Sequence, residues 1–130
     1  MSPKMLVAFE VELQRGCLVV RDTESNGDIS LWDPHERSWL VDQGSAIFAV
    51  LPGVEGNVRC EVWRGTPPKP LPIRIFEETF EITGALQIED PAGVVNVELA
   101  TIRRARTITV LANDSTWASE VQIVIDAEGR

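Results

Sequence analysis

Apolar and polar residues alternate with a period of two along most of this chain, and the alternation limits the folds that it can adopt. The clearest examples are the runs 7–14, 58–63, 95–99, 107–110 and 120–125. Successive side chains of an extended strand point to opposite faces, so each run has one face for a core and one for water. No window keeps an apolar face at helical spacing for long, so the pattern predicts strands and at most one short helix.

Turn-forming residues separate these runs at intervals of about ten residues. Examples are Asn26-Gly27, Pro52-Gly53, Gly56-Asn57 and Asn113-Asp114. About eight to ten short strands joined by such turns predict an all-β fold, an antiparallel β-sandwich rather than a closed barrel. A chain of 130 residues is expected to form a single domain, residues 1–130.

A proline-rich stretch between residues 64 and 72 interrupts the regular succession of strands and turns. It contains Pro67, Pro68, Pro70 and Pro72. Proline has no backbone N–H, so these residues cannot donate the hydrogen bonds that join neighbouring strands. We therefore predict a stiff, extended connection that crosses from one sheet to the other.

Directly after the prolines, the apolar residues change from odd to even positions in the sequence. Ile73 and Ile75 share one phase, whereas Phe76 and Phe80 share the other, which predicts a β-bulge near Ile75 and Phe76. The change also puts Glu78 on the apolar face. Because a buried carboxylate needs a partner, we predict that Glu78 is a buried structural acid paired with an arginine, for which the candidates are Arg103, Arg104 and Arg106.

The chain lacks the residue patterns of common catalytic sites. It has one histidine, His35, in a polar turn, and its two cysteines lack the paired spacing of a zinc site. It has no phosphate-binding loop and no dinucleotide fingerprint. We therefore expect no catalytic residues, no enzymatic activity and no cofactor.

The segment DTESNGDISLWD, residues 22–33, matches the ligand spacing of a helix–loop–helix calcium site, with Gly27 at the sixth position. A strand pattern precedes the segment and Pro34 follows it, whereas flanking helices hold such a loop. We interpret it as an acidic turn between strands and expect no metal site. If this interpretation is wrong, the calcium ligands are Asp22, Glu24, Asn26, Asp28 and Asp33.

The chain carries a formal net charge of −8, from 20 acidic and 12 basic residues. Nucleic acids and anionic membranes would repel it, so we expect neither as a partner. A basic protein fits better, because opposite charges speed encounter. The residues predicted to contact this partner lie on the outward faces of strands, and they are Glu10, Glu12, Glu77, Glu81, Glu89 and Trp63.

The compartment is predicted from the first residues and the cysteines. The segment MSPKMLVAFEVEL has too short an apolar run for a signal peptide, and no stretch is long enough to span a membrane. Cys17 and Cys60 lie inside strand patterns, where we expect buried hydrophobic thiols rather than a disulfide. These features predict a cytoplasmic protein.

Several landmarks follow one another in a recognisable order: FEVEL, then GSAIFAVLPGVEGNVRCEV, then FEETFEITGALQI, and a last strand VQIVID. From Phe9 to Asp126 this order resembles the bacterial competence protein J type of nuclease inhibitors and related β-sandwich proteins. The resemblance implies a small cytoplasmic inhibitor that binds a nuclease and carries out no chemistry. Glu78 is the one acid that the resemblance singles out.

Two classes of binding partner stay open. A nuclease or toxin is the first, because a cleft that holds phosphates is basic and an acidic sandwich can occupy it. A saccharide or another small ligand is the second, because exposed tryptophans stack on sugar rings. The tryptophans concerned are Trp32, Trp39, Trp63 and Trp117.

Overall fold

The structure, a computed structural model, describes residues 2–126 and contains ten strands in that range. In chain order they are β1 (Lys4–Val11), β2 (Cys17–Asp22), β3 (Trp39–Asp42), β4 (Ser45–Ala49), β5 (Val58–Arg64), β6 (Ile73–Ile82), β7 (Leu86–Glu89), β8 (Asn96–Leu99), β9 (Arg104–Ala112) and β10 (Glu120–Ile125). A 3₁₀ turn, Gly53–Glu55, precedes β5.

The strands form two five-stranded sheets. The first sheet has the order β1-β5-β10-β9-β6, and the second has the order β3-β4-β2-β7-β8. In the described part of the chain all neighbouring strands run antiparallel except β5 and β10, which are parallel. The predicted all-β sandwich of eight to ten short strands is confirmed. No helix within residues 2–126 has the length and apolar character needed to cross a membrane.

Side chains from the inner faces of both sheets form one hydrophobic core. Fully burying one large apolar side chain contributes about 1.5–3 kcal/mol, and the largest such residues include Phe48, Phe80, Leu13, Leu18, Leu86 and Ile88. Cys60 lies in this core, and Cys17 is buried on the outer side of the second sheet. Both are free thiols, so the prediction that the cysteines are buried hydrophobes is confirmed.

The proline-rich segment connects two strands of the same sheet. β5 and β6 both belong to the first sheet, where β10 and β9 lie between them. Residues 65–72, called the strap below, therefore cross the outer face of that sheet. The predicted crossing between the two sheets is wrong, because β6 pairs with β9 and so returns the chain to the sheet that it left.

A β-bulge interrupts β6 where the phase change predicted it. The antiparallel register between β6 and β9 shifts between Arg74 and Phe76. Beyond this point Phe76 is buried, and Glu77 faces outward beside Thr109 of β9. The bulge therefore sets which acids of β6 reach the outer face.

Glu78 has the predicted phase but not the predicted burial. It pairs with the buried Ile108 of β9 and shares the inward phase of Phe76 and Phe80. Glu78 is nevertheless exposed, so the prediction of a buried acid paired with an arginine is wrong. β6 is the edge strand of its sheet, and inward-pointing charges are a common device that prevents edge strands from pairing with other chains.

Candidate functional site

The outer face of the first sheet carries most of the residues predicted to contact a partner. Arg59, Glu61 and Trp63 alternate with buried residues on β5 and point outward. Glu10 of β1 is registered with Arg59, so it lies on the same face. On β6 the outward positions include Glu77 and Glu81, which are registered with Thr109 and Ala105 of β9.

Two of the predicted contact residues lie elsewhere. Glu89 belongs to β7 of the second sheet, where its carboxylate forms an ion pair of 3.0 Å with Arg21. Glu12 is exposed just beyond the end of β1. The structure therefore brings Glu10, Glu77, Glu81 and Trp63 onto one face and leaves Glu89 on the opposite side of the sandwich.

The side chain of Gln122 fixes the strap to this face. Its Oε1 atom accepts a hydrogen bond of 2.8 Å from the backbone N–H of Leu71, and its Nε2 donates to the carbonyl of Lys69 at 3.2 Å. Nε2 also donates to Oε1 of Glu61 at 3.2 Å. Gln122 is only 6 % exposed, so these bonds are shielded from water. The residue links two chain segments that are far apart in sequence.

A hollow of about 440 Å³ lies beside the strap and around Trp63. At its floor the Glu61 carboxylate accepts a 2.9 Å hydrogen bond from Nε1 of Trp63 and a 3.4 Å contact from Arg59. The Trp63 bond, together with bonds from Gln122 and the charge of Arg59, lowers the pKa of Glu61 although burial opposes this. Glu61 is therefore ionised near neutral pH, and its charge is largely satisfied within the protein.

A second hollow, of about 460 Å³, is lined by the beginning of the strap and by Glu77, Thr107, Thr109 and Val124. The Glu77 carboxylate accepts a 3.0 Å hydrogen bond from the Thr109 hydroxyl and lies 3.5 Å from the Arg74 guanidinium. The acids of the first sheet's outer face are thus partly balanced by neighbouring donors.

The outer face of the second sheet is covered by the loop of residues 23–38, which connects β2 to β3. Ile29 and Trp32 of this loop pack against Cys17, Val19 and Ile47. This cover explains why β2 and β4 are buried on both faces. Burial also raises the pKa of the Cys17 thiol to about 11, with Asp90 adding to the effect, so the thiol is protonated near neutral pH.

The same loop and β3 enclose a third hollow, of about 340 Å³. The acidic residues that line it are Asp28, Asp33, Glu36 and Asp42, and the one basic residue in the lining is Arg37. Leu31 lies at its margin and is 88 % exposed. Periodicity could not reveal this hollow, because the loop has no repeating pattern.

The first acid of the calcium-like segment, Asp22, accepts several hydrogen bonds from within the protein. The carboxylate of Asp22 accepts hydrogen bonds from the backbone N–H groups of Thr83, Gly84 and Glu24 and from the Thr83 hydroxyl. It thereby joins the end of β2 to the turn between β6 and β7. Among residues 2–126, no group of three or more histidine, cysteine or acidic residues could hold a metal ion. The absence of calcium binding stays a prediction.

We expect calcium to leave the thermal unfolding midpoint unchanged, because Asp22 already has its hydrogen-bond partners. A ligand that binds the folded state raises the midpoint by mass action. The measurement is a thermal melt in about 1 mM calcium, near the weak end of protein calcium sites, beside a melt in excess chelator. A rise in calcium that the variant Asp28→Ala abolishes would contradict the prediction.

The tryptophans do not form one ligand-binding face. Trp63 lies on the outer face of the first sheet and Trp32 on that of the second. Trp39 packs inward, with its ring centroid 5.6 Å from that of Phe76. Trp117 is 51 % exposed in the loop between β9 and β10. A saccharide could therefore meet one of these rings at a time but not a shared platform.

Comparison with known proteins adds one likeness. No protein-family model matches the sequence, and no curated protein matches it. The crystal structure of ComJ, inhibitor of the DNA degrading activity of NucA, from Bacillus subtilis, is similar in fold with a TM-score of 0.70 and 11 % sequence identity. The match covers 98 % of this chain and 100 % of ComJ. The resemblance to the competence protein J type that the sequence predicted is thus confirmed for the fold.

Proposed function

We propose that this protein binds a DNA-degrading nuclease and inhibits it without catalysing a reaction of its own. The observation that carries the proposal is the likeness of fold, over nearly the whole of both chains, to an inhibitor of a nuclease. The net charge of −8 supports it, because a nuclease presents cationic groups to DNA phosphates and an acidic protein can occupy them. The buried free thiols of Cys17 and Cys60 support a cytoplasmic location.

The surface proposed for this contact is the outer face of the first sheet, with Glu10, Glu77, Glu81 and Trp63. Its support is geometric, since the register of β1, β5, β9 and β6 puts these residues on one side of the sheet. Glu12, beyond the end of β1, and Glu89, on the other sheet, belong to this contact only if the partner also reaches past the edge of the face.

The direct test is capture of the partner from native lysate, followed by an assay of DNA degradation by the captured protein. We expect the captured protein to degrade DNA and to lose that activity as purified inhibitor is added in stoichiometric amounts. Captured proteins that degrade no DNA, or a nuclease whose activity does not respond to the inhibitor, would refute the function.

Reversing the charge of Glu77 and Glu81 together is expected to slow association with the nuclease by about tenfold, while the thermal midpoint changes little. Electrostatic steering changes association rates by about 10–10³-fold, and ion pairs as exposed as that of Glu77 with Arg74 contribute little to stability. The measurement is the association rate of Glu77→Lys/Glu81→Lys at two salt concentrations, since salt screens exposed charges.

The matched control for this variant is Glu55→Lys/Glu98→Lys. It has the same change in net charge, but Glu55 lies in the 3₁₀ turn and Glu98 on the edge strand β8 of the second sheet. Equal slowing in both double variants would show that only total charge matters. The proposed surface would then be wrong, although the function would stand.

A second candidate function is binding of a saccharide in the hollow around Trp63. The observation that favours it is a half-buried indole beside Arg59, Glu61 and Gln122, since such polar groups can orient a sugar that stacks on the ring. Saccharide-dependent quenching of tryptophan fluorescence that Trp63→Ala removes, with no nuclease captured, would favour this candidate over the first.

A further inference from the structure

The acids of the two outer faces differ in how far neighbouring cations balance them. On the first sheet, Arg59 lies beside Glu61 and Arg74 beside Glu77. In the third hollow, Asp28, Asp33, Glu36 and Asp42 share one arginine, and none of the ion pairs found in the described residues includes them. Glu10 and Glu81 of the first sheet's outer face also make no ion pair among the described residues, but the third hollow gathers four acids around a single arginine in one cavity beside β3.

The hollow also has an apolar side. Leu31 at its margin is 88 % exposed, and Trp32, Leu40 and Val41 complete the lining around it. A single exposed leucine is ordinary on a protein surface. Together with the half-buried apolar residues beside it, the exposed leucine gives the hollow an apolar surface next to its carboxylates. Such a surface suits a partner side chain that is apolar along its stem and cationic at its end.

Two acids of the hollow, Asp33 and Asp42, are held in place by hydrogen bonds within the protein. The Asp42 carboxylate accepts a 2.7 Å hydrogen bond from the backbone N–H of Asp28, and the Asp33 carboxylate accepts one of 2.9 Å from the backbone N–H of His35. The indole Nε1 of Trp32 donates to the carbonyl of Arg37 at 3.1 Å and links the middle of the loop to its last residues. Groups ordered in advance lose less conformational entropy on binding.

We propose that this hollow is the docking site for an arginine side chain of a basic protein partner. The apolar stem of an arginine can lie along Leu31 and Leu40, while its guanidinium meets the carboxylates of Asp33 and Glu36. A volume of about 340 Å³ is sufficient for one such side chain. The inference rests on the proposed function, since the nuclease is the basic partner, but it names a different contact from the first sheet's outer face.

The test uses the intact chain and the variant Leu31→Ala/Glu36→Lys. In the described structure neither side chain makes a hydrogen bond or ion pair, so the variant should fold. The matched control is Val54→Ala/Glu55→Lys, which changes a 94 % exposed valine and a neighbouring exposed acid in the 3₁₀ turn. Both variants change the net charge by the same amount, and each shortens one exposed apolar side chain.

The first measurement titrates isotope-labelled protein with a hexa-arginine peptide, followed by amide chemical shifts. We expect the largest changes in residues 28–42, and about tenfold weaker binding in Leu31→Ala/Glu36→Lys but not in the control. Changes confined to other residues, or equal weakening in both variants, would overturn the proposal. This measurement needs no nuclease, so it stands if the proposed function fails.

The second measurement repeats the association experiment with the captured nuclease. We expect slower association for Leu31→Ala/Glu36→Lys than for Val54→Ala/Glu55→Lys. If the nuclease is inhibited but binds both variants as it binds the wild type, the docking site is wrong and the function stands.

Discussion

Replacing Asp22 by alanine is expected to lower the free energy of unfolding by about 3 kcal/mol, because a hydrogen bond to a charged group contributes about 1.5–3 kcal/mol and this carboxylate accepts several. Asp22 is 3 % exposed, and its carboxylate accepts bonds from the backbone N–H groups of Thr83 and Gly84 at 3.0 and 2.9 Å. It also accepts the Glu24 N–H at 3.2 Å. Alanine removes the acceptor and leaves these donors without their partner. A urea unfolding curve measures the loss.

Two further variants separate the hydrogen bonds from loop composition. Asp28→Ala removes another acid of the same calcium-like segment, but this carboxylate is exposed and bonds only to Ser30, so its unfolding curve should lie close to that of the wild type. Asp22→Asn keeps one acceptor oxygen and should fall between the two. Equal losses for Asp22→Ala and Asp28→Ala would contradict this role of Asp22.

The Asp22 contribution should also depend on pH. Burial raises the pKa of this carboxyl, but the hydrogen bonds from Thr83, Gly84 and Glu24 outweigh burial and hold the pKa below its usual value. A group whose pKa is lower in the folded state stabilises the fold above its unfolded pKa, about 3.9 for aspartate, and loses that contribution as the pH falls through the folded pKa. The stability difference between wild type and Asp22→Asn should therefore shrink as acid is added below about pH 4.

How far the fold can be predicted from the sequence is clear on β5. Alternation over 58–63 correctly puts Val58, Cys60 and Val62 inward and Trp63 outward. It contains no information on which strands become neighbours, and so it cannot reveal that β10 pairs with β5 in parallel. That pairing depends on contacts between distant segments, which no local pattern encodes.

At the candidate site too, local sequence patterns predict some residues correctly and miss those whose partners are distant in the sequence. Trp63 and Glu77 could be assigned to outer faces from phase alone. Gln122 could not be identified as the residue that holds the strap, because its partner Leu71 lies 51 positions away and nothing near either residue signals the bond. The spacing of acids in residues 22–33 groups Asp22 with calcium ligands, whereas its hydrogen-bond partners lie 61 and 62 positions away in the turn before β7. Polar residues with distant partners are therefore the ones that sequence reasoning missed.

Replacing Phe76 by alanine is expected to lower the free energy of unfolding by about 3–5 kcal/mol, the usual cost of truncating a buried phenylalanine. Phe76 is 4 % exposed, and its ring centroid lies 5.6 Å from that of Trp39 and 6.0 Å from that of Phe48. Trp39 and Phe48 belong to the second sheet, so this ring joins the two sheets directly after the bulge. A urea unfolding curve gives the loss from its shift in midpoint at constant slope.

The matched variant is Glu78→Ala, two positions further along the same inward phase of β6. If Glu78 were buried, as its inward position alone suggests, Glu78→Ala would lower the free energy of unfolding about as much as Phe76→Ala, since breaking a buried ion pair costs about 3–5 kcal/mol. Exposure at the edge of the sheet predicts instead a change within about 0.5 kcal/mol of the wild type. A loss of several kcal/mol in Glu78→Ala would mean that Glu78 is buried between Phe76 and Phe80. A small loss in both variants would mean that Phe76 does not join the sheets, because an inward-facing side chain stabilises the core only where the other sheet covers it.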